Sequence, residues 1–70
     1  MQYEEIKKMI DSAKESDVLE FTTNDNTFEF SKNRCVFEVG SIQTIISVND
    51  VKSRLIINNT RINKINIIRK

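Results

Sequence analysis

At Val18 the spacing of apolar residues changes from one period to another, and that change dictates most of what this chain can become. Upstream, Ile6, Met9, Ile10 and Ala13 fall at i, i+3, i+4 and i+7, the stripe of an amphipathic helix, and Tyr3 extends the same face. Downstream, apolar residues alternate with polar ones. Leu19 and Phe21 face one way and Val18 and Glu20 the other, and Phe28 and Phe30 resume the apolar face after Asn24-Asp25-Asn26. One helix followed by strands alone is therefore predicted.

The helix is expected over residues 2–15. Glu4 and Glu5 suit its positive start and Lys14 its end, and Glu4–Lys8 and Lys7–Asp11 are spaced to pair. Val18 to Phe30 reads as a β-hairpin. Cys35, Phe37 and Val39 alternate in a third strand that ends at Gly40-Ser41. Ile42, Thr44, Ile46 and Val48 form the apolar side of a fourth, which ends at Asn49-Asp50. Two closing strands follow: Leu55-Ile56-Ile57 meets the polar break Asn58-Asn59-Thr60-Arg61, and Ile62, Ile65, Ile67 and Ile68 run almost to the end.

No proline occurs and Gly40 is the only glycine, so the turns must rest on Asn, Asp and Ser, which tolerate left-handed backbone. Short connections make successive strands antiparallel neighbours. The expected fold class is α+β: an N-terminal helix followed by five or six short antiparallel strands forming a strongly curved sheet or small barrel. A single domain over 1–70 is expected, with the sheet over about 18–69 and Phe21, Phe28, Phe30 and Phe37 as the bulk of the core.

Seventy residues bury a small core, and such domains usually recruit disulfides, metals or partners. With one cysteine and no histidine, an internal disulfide and a thiolate cluster are excluded. Self-association is the device left, so a homo-oligomer or a complex with another protein is expected. The N-terminus has no apolar stretch of signal-peptide length and the longest aliphatic run is three residues, so no membrane association and a cytoplasmic location are expected. The eight asparagines, with many isoleucines and lysines, fit an AT-rich genome.

Catalysis needs a group of suitable pKa beside a substrate, and few are on offer. Cys35 alternates with Phe37 on an apolar face, the setting of an inert thiol. Asp25, Glu29 and Asp50 lack the ligand spacing and central glycine of a calcium loop, and a single glycine excludes the glycine-rich phosphate loops. Glu20 and Glu29 are placed to face each other across the first hairpin as solvated carboxylates. An enzyme is not expected, nor are a cofactor or a metal.

Charge is unevenly spread. Residues 1–35 hold eight acids against five bases, a balance of −3; residues 36–70 hold two acids against six bases, a balance of +4. Arg61, Lys64, Arg69 and Lys70 crowd the closing segment, with Lys52 and Arg54 just before it. Cations of this kind meet phosphates, although all four phenylalanines lie before residue 38, away from them.

The order of a helix and then curved strands, with Leu55-Ile56-Ile57-Asn58-Asn59-Thr60-Arg61-Ile62-Asn63-Lys64-Ile65 near the end, resembles the Sm fold of the bacterial Hfq and archaeal Sm-like proteins. The segment is similar to the family's second motif, a strand, a polar turn and isoleucine-x-x-isoleucine on the last strand. Phe30 and Ser31 stand where the first motif has a glycine, and no matching aspartate follows. The resemblance implies a ring of six or seven subunits whose last strands pair between copies. It also implies RNA contacts at Asn58, Asn59 and Arg61, with Lys64, Arg69 and Lys70 on phosphates. Residues 4–32 also look like the N-terminal helix and hairpin of biotin carboxyl carrier proteins. The biotin-bearing domain and its Met-Lys-Met site are missing, so that resemblance implies at most a docking role.

The function expected is that of a small non-enzymatic interaction module, an adaptor, inhibitor or regulatory subunit of the kind phages and mobile elements encode, acting by protein–protein binding. The alternative is an Sm-like RNA-binding oligomeric ring.

Overall fold

The computed structural model describes all seventy residues. Helix α1 (Tyr3–Ser12) leads into strands β1 (Val18–Thr22) and β2 (Thr27–Ser31). A 3-10 turn, Lys32–Arg34, then delivers β3 (Cys35–Val39) and β4 (Gln43–Val48). Strand β5 (Arg54–Asn58), a second 3-10 turn at Asn59–Arg61 and strand β6 (Lys64–Ile68) complete the chain.

Every strand pairing is antiparallel, and the strands divide into two three-stranded sheets ordered β2-β1-β6 and β3-β4-β5. The expectation of one curved sheet is thus met only as far as class: helix plus antiparallel strands, with separate ladders. The division falls at Lys32–Arg34, where the chain leaves the edge of one sheet and enters the edge of the other. The last strand returns to lie beside the first, Phe21 opposite both Phe28 and Ile65.

The core lies between the sheets under the helix. Ile6, Ile10 and Ala13 come from the helical stripe, Leu19, Phe21 and Ile65 from one sheet, and Ile46 and Ile57 from the other, with Ile62 at the exit of the second 3-10 turn. Phe21 alone of the four phenylalanines is fully buried; Phe28, Phe30 and Phe37 are half-buried around it. Their rings still form one cluster. Phe30 meets Phe21 edge-on at 5.8 Å, and Phe37 stacks on Phe21 at 6.3 Å, both favoured aromatic arrangements.

Three local expectations are corrected. The helix ends at Ser12, not residue 15, because Ala13 is already extended (φ −75°, ψ 140°). Lys14 lies beyond the helix, and the cation at its C-terminal end is Lys32, whose Nζ donates to the Ile10 carbonyl. The spaced pairs Glu4–Lys8 and Lys7–Asp11 do not form, since both ion pairs of the structure lie elsewhere. Ile42, placed on the fourth strand's apolar face, precedes β4 and is 69% exposed. Elsewhere the turn chemistry holds: Asp50 takes left-handed backbone at φ 68°, and the structure has no positive-φ glycine. No helix is long and apolar enough to cross a membrane.

Candidate interaction site

Three features mark the surface: the polar turn after β5, the open edges of the two sheets, and the cations near the C-terminus.

The polar turn is largely self-satisfied. Asn58 Oδ1 accepts from the Thr60 amide at 3.0 Å and the Thr60 hydroxyl at 2.8 Å, which folds the turn on itself. Asn59 is buried. Its Oδ1 accepts from Thr44 Oγ1 and its Nδ2 donates to the Gly40 carbonyl, both at 2.8 Å. The Met1 ammonium donates to the Asn59 and Ile62 carbonyls, again at 2.8 Å. Asn59 thus joins the turn to the β3–β4 connection, and its carboxamide faces inward. Thr44 supplied the readable signal, because a threonine on an apolar face needs a buried partner for its hydroxyl.

The cations do not form one patch. Arg61 pairs with Asp25 of the first hairpin at 3.0 Å, both side chains exposed. Lys64 opens β6 opposite Thr22. Arg69 lies past the other end of β6, where it meets Asp17 Oδ2 at 3.1 Å. Lys64 and Arg69 are five residues apart along an extended strand, about 16 Å. Of the six residues singled out from sequence, Asn58, Asn59 and Arg61 come together at the turn, Lys64 lies near them, and Arg69 and Lys70 lie at the far end. Lys64 and Lys70 are exposed and carry no ion pair.

Asp17, which sequence reasoning passed over, is only 2% exposed. Besides Arg69, its Oδ2 accepts from the Lys14 amide at 2.9 Å. Its own amide donates to the Lys14 carbonyl and its carbonyl accepts from the Lys32 amide. One residue therefore ties the helix exit to the first 3-10 turn and the C-terminal tail. Every buried side-chain polar atom in the fold has a hydrogen-bond partner. Cys35 is half-buried; burial pushes its thiol pKa up, with the neighbouring Arg34 pulling weakly the other way.

The sheet edges are the least satisfied part of the molecule. Each sheet has two end strands, β3 and β5 in one and β2 and β6 in the other. The Asn59 amide donates to the Ile42 carbonyl at 2.9 Å, which sets the phase of the β4–β5 ladder. Bonded and non-bonded pairs alternate in an antiparallel ladder, so Leu55 and Ile57 turn their backbone groups to β4 while Arg54, Ile56 and Asn58 turn theirs to the open side. On β6 the same reasoning, anchored on the Asn63 amide bonded to the Thr22 carbonyl, leaves Ile65 and Ile67 facing outward with their amides. Beside β5 runs a cleft of about 400 Å³ whose lining includes Phe28, Leu55, Ile57, Thr23, Asn26 and Arg61.

Compared with protein families, curated proteins and solved structures, the chain matches none of them.

Proposed function

We propose that this chain is a non-enzymatic interaction module that works by adding strand to strand at the open edge of β5, its partner being a second copy of itself. The observation that carries the reading is that each sheet ends in open edges, β2 and β6 on one and β3 and β5 on the other, with a cleft running beside β5. Strand β5 presents three outward backbone positions above a cleft with Phe28 and Leu55 in its wall. Strand β6, also five residues long, presents a second such row on the other sheet. Exposed edges are templates for strand addition, in which backbone hydrogen bonds supply affinity and pockets for alternate side chains supply specificity. The barrel expected from the sequence would then be completed between copies, one copy's β6 continuing its neighbour's β3-β4-β5 sheet.

The same observation favours a second reading. A β5-to-β6 contact is heterologous, and heterologous contacts that close make rings. The Sm-like resemblance implies such a ring with RNA at the polar turn. Within it, Asn58, Lys64 and Lys70 keep free polar or charged groups for RNA, Asn59 shapes the turn, and Arg61 and Arg69 would first have to leave their carboxylates.

Mass in solution, measured by light scattering with and without a short A- or U-rich RNA, separates the two. A stable oligomer indifferent to RNA supports the module; a hexamer or heptamer that shifts with RNA in a salt-dependent way supports the ring. A monomer at high concentration overturns both. The edge itself is tested by Asn58→Pro. Asn58 already has φ −66° and its amide points away from β4, so proline closes the edge without breaking the sheet. Asn58→Ala, which loses the same turn bonds but keeps the amide, must still associate.

A further inference from the structure

The face of β3-β4-β5 turned away from the core carries a pattern that the edges do not explain. In register, Val36, Ser47 and Arg54 form one row across the three strands, and Glu38, Ile45 and Ile56 form the next. Val36 is 52% and Ile56 50% exposed, with Ile45 half-buried between the strands that carry them. Glu38 and Arg54 stand at opposite corners of this block, on its two outer strands. Both are exposed, and neither takes part in an ion pair, although two other charged pairs of the molecule are formed.

We infer that this face docks on the same face of a second copy, about a two-fold axis that sets Glu38 of each copy against Arg54 of the other. The charge pattern selects the occupant. Opposite charges at diagonal corners of an apolar block are self-complementary: a two-fold axis lying in the interface, perpendicular to the line joining Glu38 and Arg54, exchanges those two positions. With strands about 4.8 Å apart and same-face residues about 6.8 Å apart along them, the same operation brings Ile45 of one copy onto Ile56 of the other. Both ion pairs form at once and the aliphatic row is covered between them. An axis along the strands would set Arg54 on Val36 and Glu38 on Ile56, leaving both charges against aliphatic carbon, so the diagonal axis is the one the charges favour. A face of three strands and two rows covers on the order of 200 Å² per copy, well below the size of a standard stable interface. The contact is accordingly a weak one, forming at high micromolar to millimolar protein.

This contact is distinct from the strand addition proposed above, and the test keeps the two apart. In the Asn58→Pro background, where the β5 edge is closed, sedimentation should show a concentration-dependent dimer. Glu38→Arg or Arg54→Glu alone should raise its dissociation constant at least about tenfold, and the two together should restore it to within about threefold, because the reversed charges meet again. Chains that stay monomeric in that background at millimolar concentration, or a double reversal no better than either single one, overturn the proposal. Should Asn58→Pro fail to fold, the same four-membered cycle is read in the otherwise unaltered chain as a change in the weakest dissociation step. The same pattern of loss and rescue is expected there, and its absence is equally decisive.

Discussion

Alternation along the first hairpin places Phe21 and Phe28 on the same face as equals, yet the fold treats them differently, and replacing each with alanine measures the difference. Phe21 has no exposed surface and sits between Phe28 and Ile65 in register, with Phe30 and Phe37 against its ring. Phe21→Ala gives up about 2 kcal/mol of transfer free energy. It also leaves a cavity on the order of 100 Å³, which at roughly 24 cal/mol per Å³ adds about 2.4 kcal/mol. The loss is therefore about 4–5 kcal/mol, against a total stability of about 3.5–10 kcal/mol for a chain of this length. Phe28 lines the cleft beside β5. Its removal opens a space that water fills, so only partial burial and the stacked contact with Phe30 are lost, about 1–2 kcal/mol.

Thermal unfolding followed by circular dichroism, at one fixed protein concentration because association would shift every midpoint, provides the readout. At this size each kcal/mol moves the midpoint by about 4–8 °C. Phe28→Ala should fall by about 5–15 °C, and Phe21→Ala should be barely folded at room temperature. Phe21→Leu keeps most of the volume and supplies a measurable intermediate. Equal losses for the two alanine variants, or a larger one for Phe28, would show that the sheets do not enclose the core as described.

Other parts of the fold make their own predictions. Asp17→Ala strands the Lys14 amide and frees Arg69, and should cost about 2–3 kcal/mol in denaturant unfolding; removing Arg69 alone leaves the buried Asp17 carboxylate with the Lys14 amide and should cost less, about 1–2 kcal/mol. Asn59→Ala leaves Thr44 and the Gly40 carbonyl without partners and should cost about 2–4 kcal/mol; an unchanged midpoint with lost RNA binding would return Asn59 to the list of ligand contacts. Cys35 should react with a disulfide reagent more slowly than a free thiol below pH 9. Because its folded pKa is raised, the neutral thiol favours the fold at lower pH, and that contribution disappears as pH climbs through the folded value; stability should therefore decline on the alkaline side, and Cys35→Ser should flatten the decline.

Local chemistry was legible and non-local chemistry was not. The helix stripe, the register of the first hairpin, the face-to-face placement of Glu20 and Glu29 and the role of Asp50 in its turn all follow from residues within a few positions of one another. The division into two sheets does not, because it depends on which strand meets β6, and nothing near Lys32–Arg34 announces that the chain changes sheets there. Helix length was misread for a related reason. Ala13 fits the apolar stripe, but Asp17 holds the Lys14 amide while Lys32, on a distant turn, supplies the cation at the helix end. At the candidate site, the polar turn lies at Asn59–Arg61, and Asn59, one of the candidate contacts, is buried within it. An asparagine beside a turn looks like a solvent-facing group until the hydroxyl of Thr44, fifteen positions earlier, claims it.

The charge asymmetry between the halves of the chain is compatible with an anionic partner, and the fold pairs off part of it. Both ion pairs join an acid of the first half to a base of the second, Asp25 to Arg61 and Asp17 to Arg69. The sheet order explains why. Because β6 lies beside β1, the acidic beginning and the basic end share one sheet, and Asn66 on β6 reaches Glu20 on β1. Two of the four cations in the closing segment thus carry a neighbouring carboxylate, and the remaining two lie at opposite ends of a strand. Cations so divided steer a polyanion less than the same charges gathered in one patch would. What remains unsatisfied is backbone along the edge strands β2, β3, β5 and β6 and aliphatic side chain on the face of β3-β4-β5, groups that another β-sheet satisfies better than a phosphate does. That balance is the physical ground on which strand addition and face-to-face docking, rather than binding to a polyanion, are proposed for this fold.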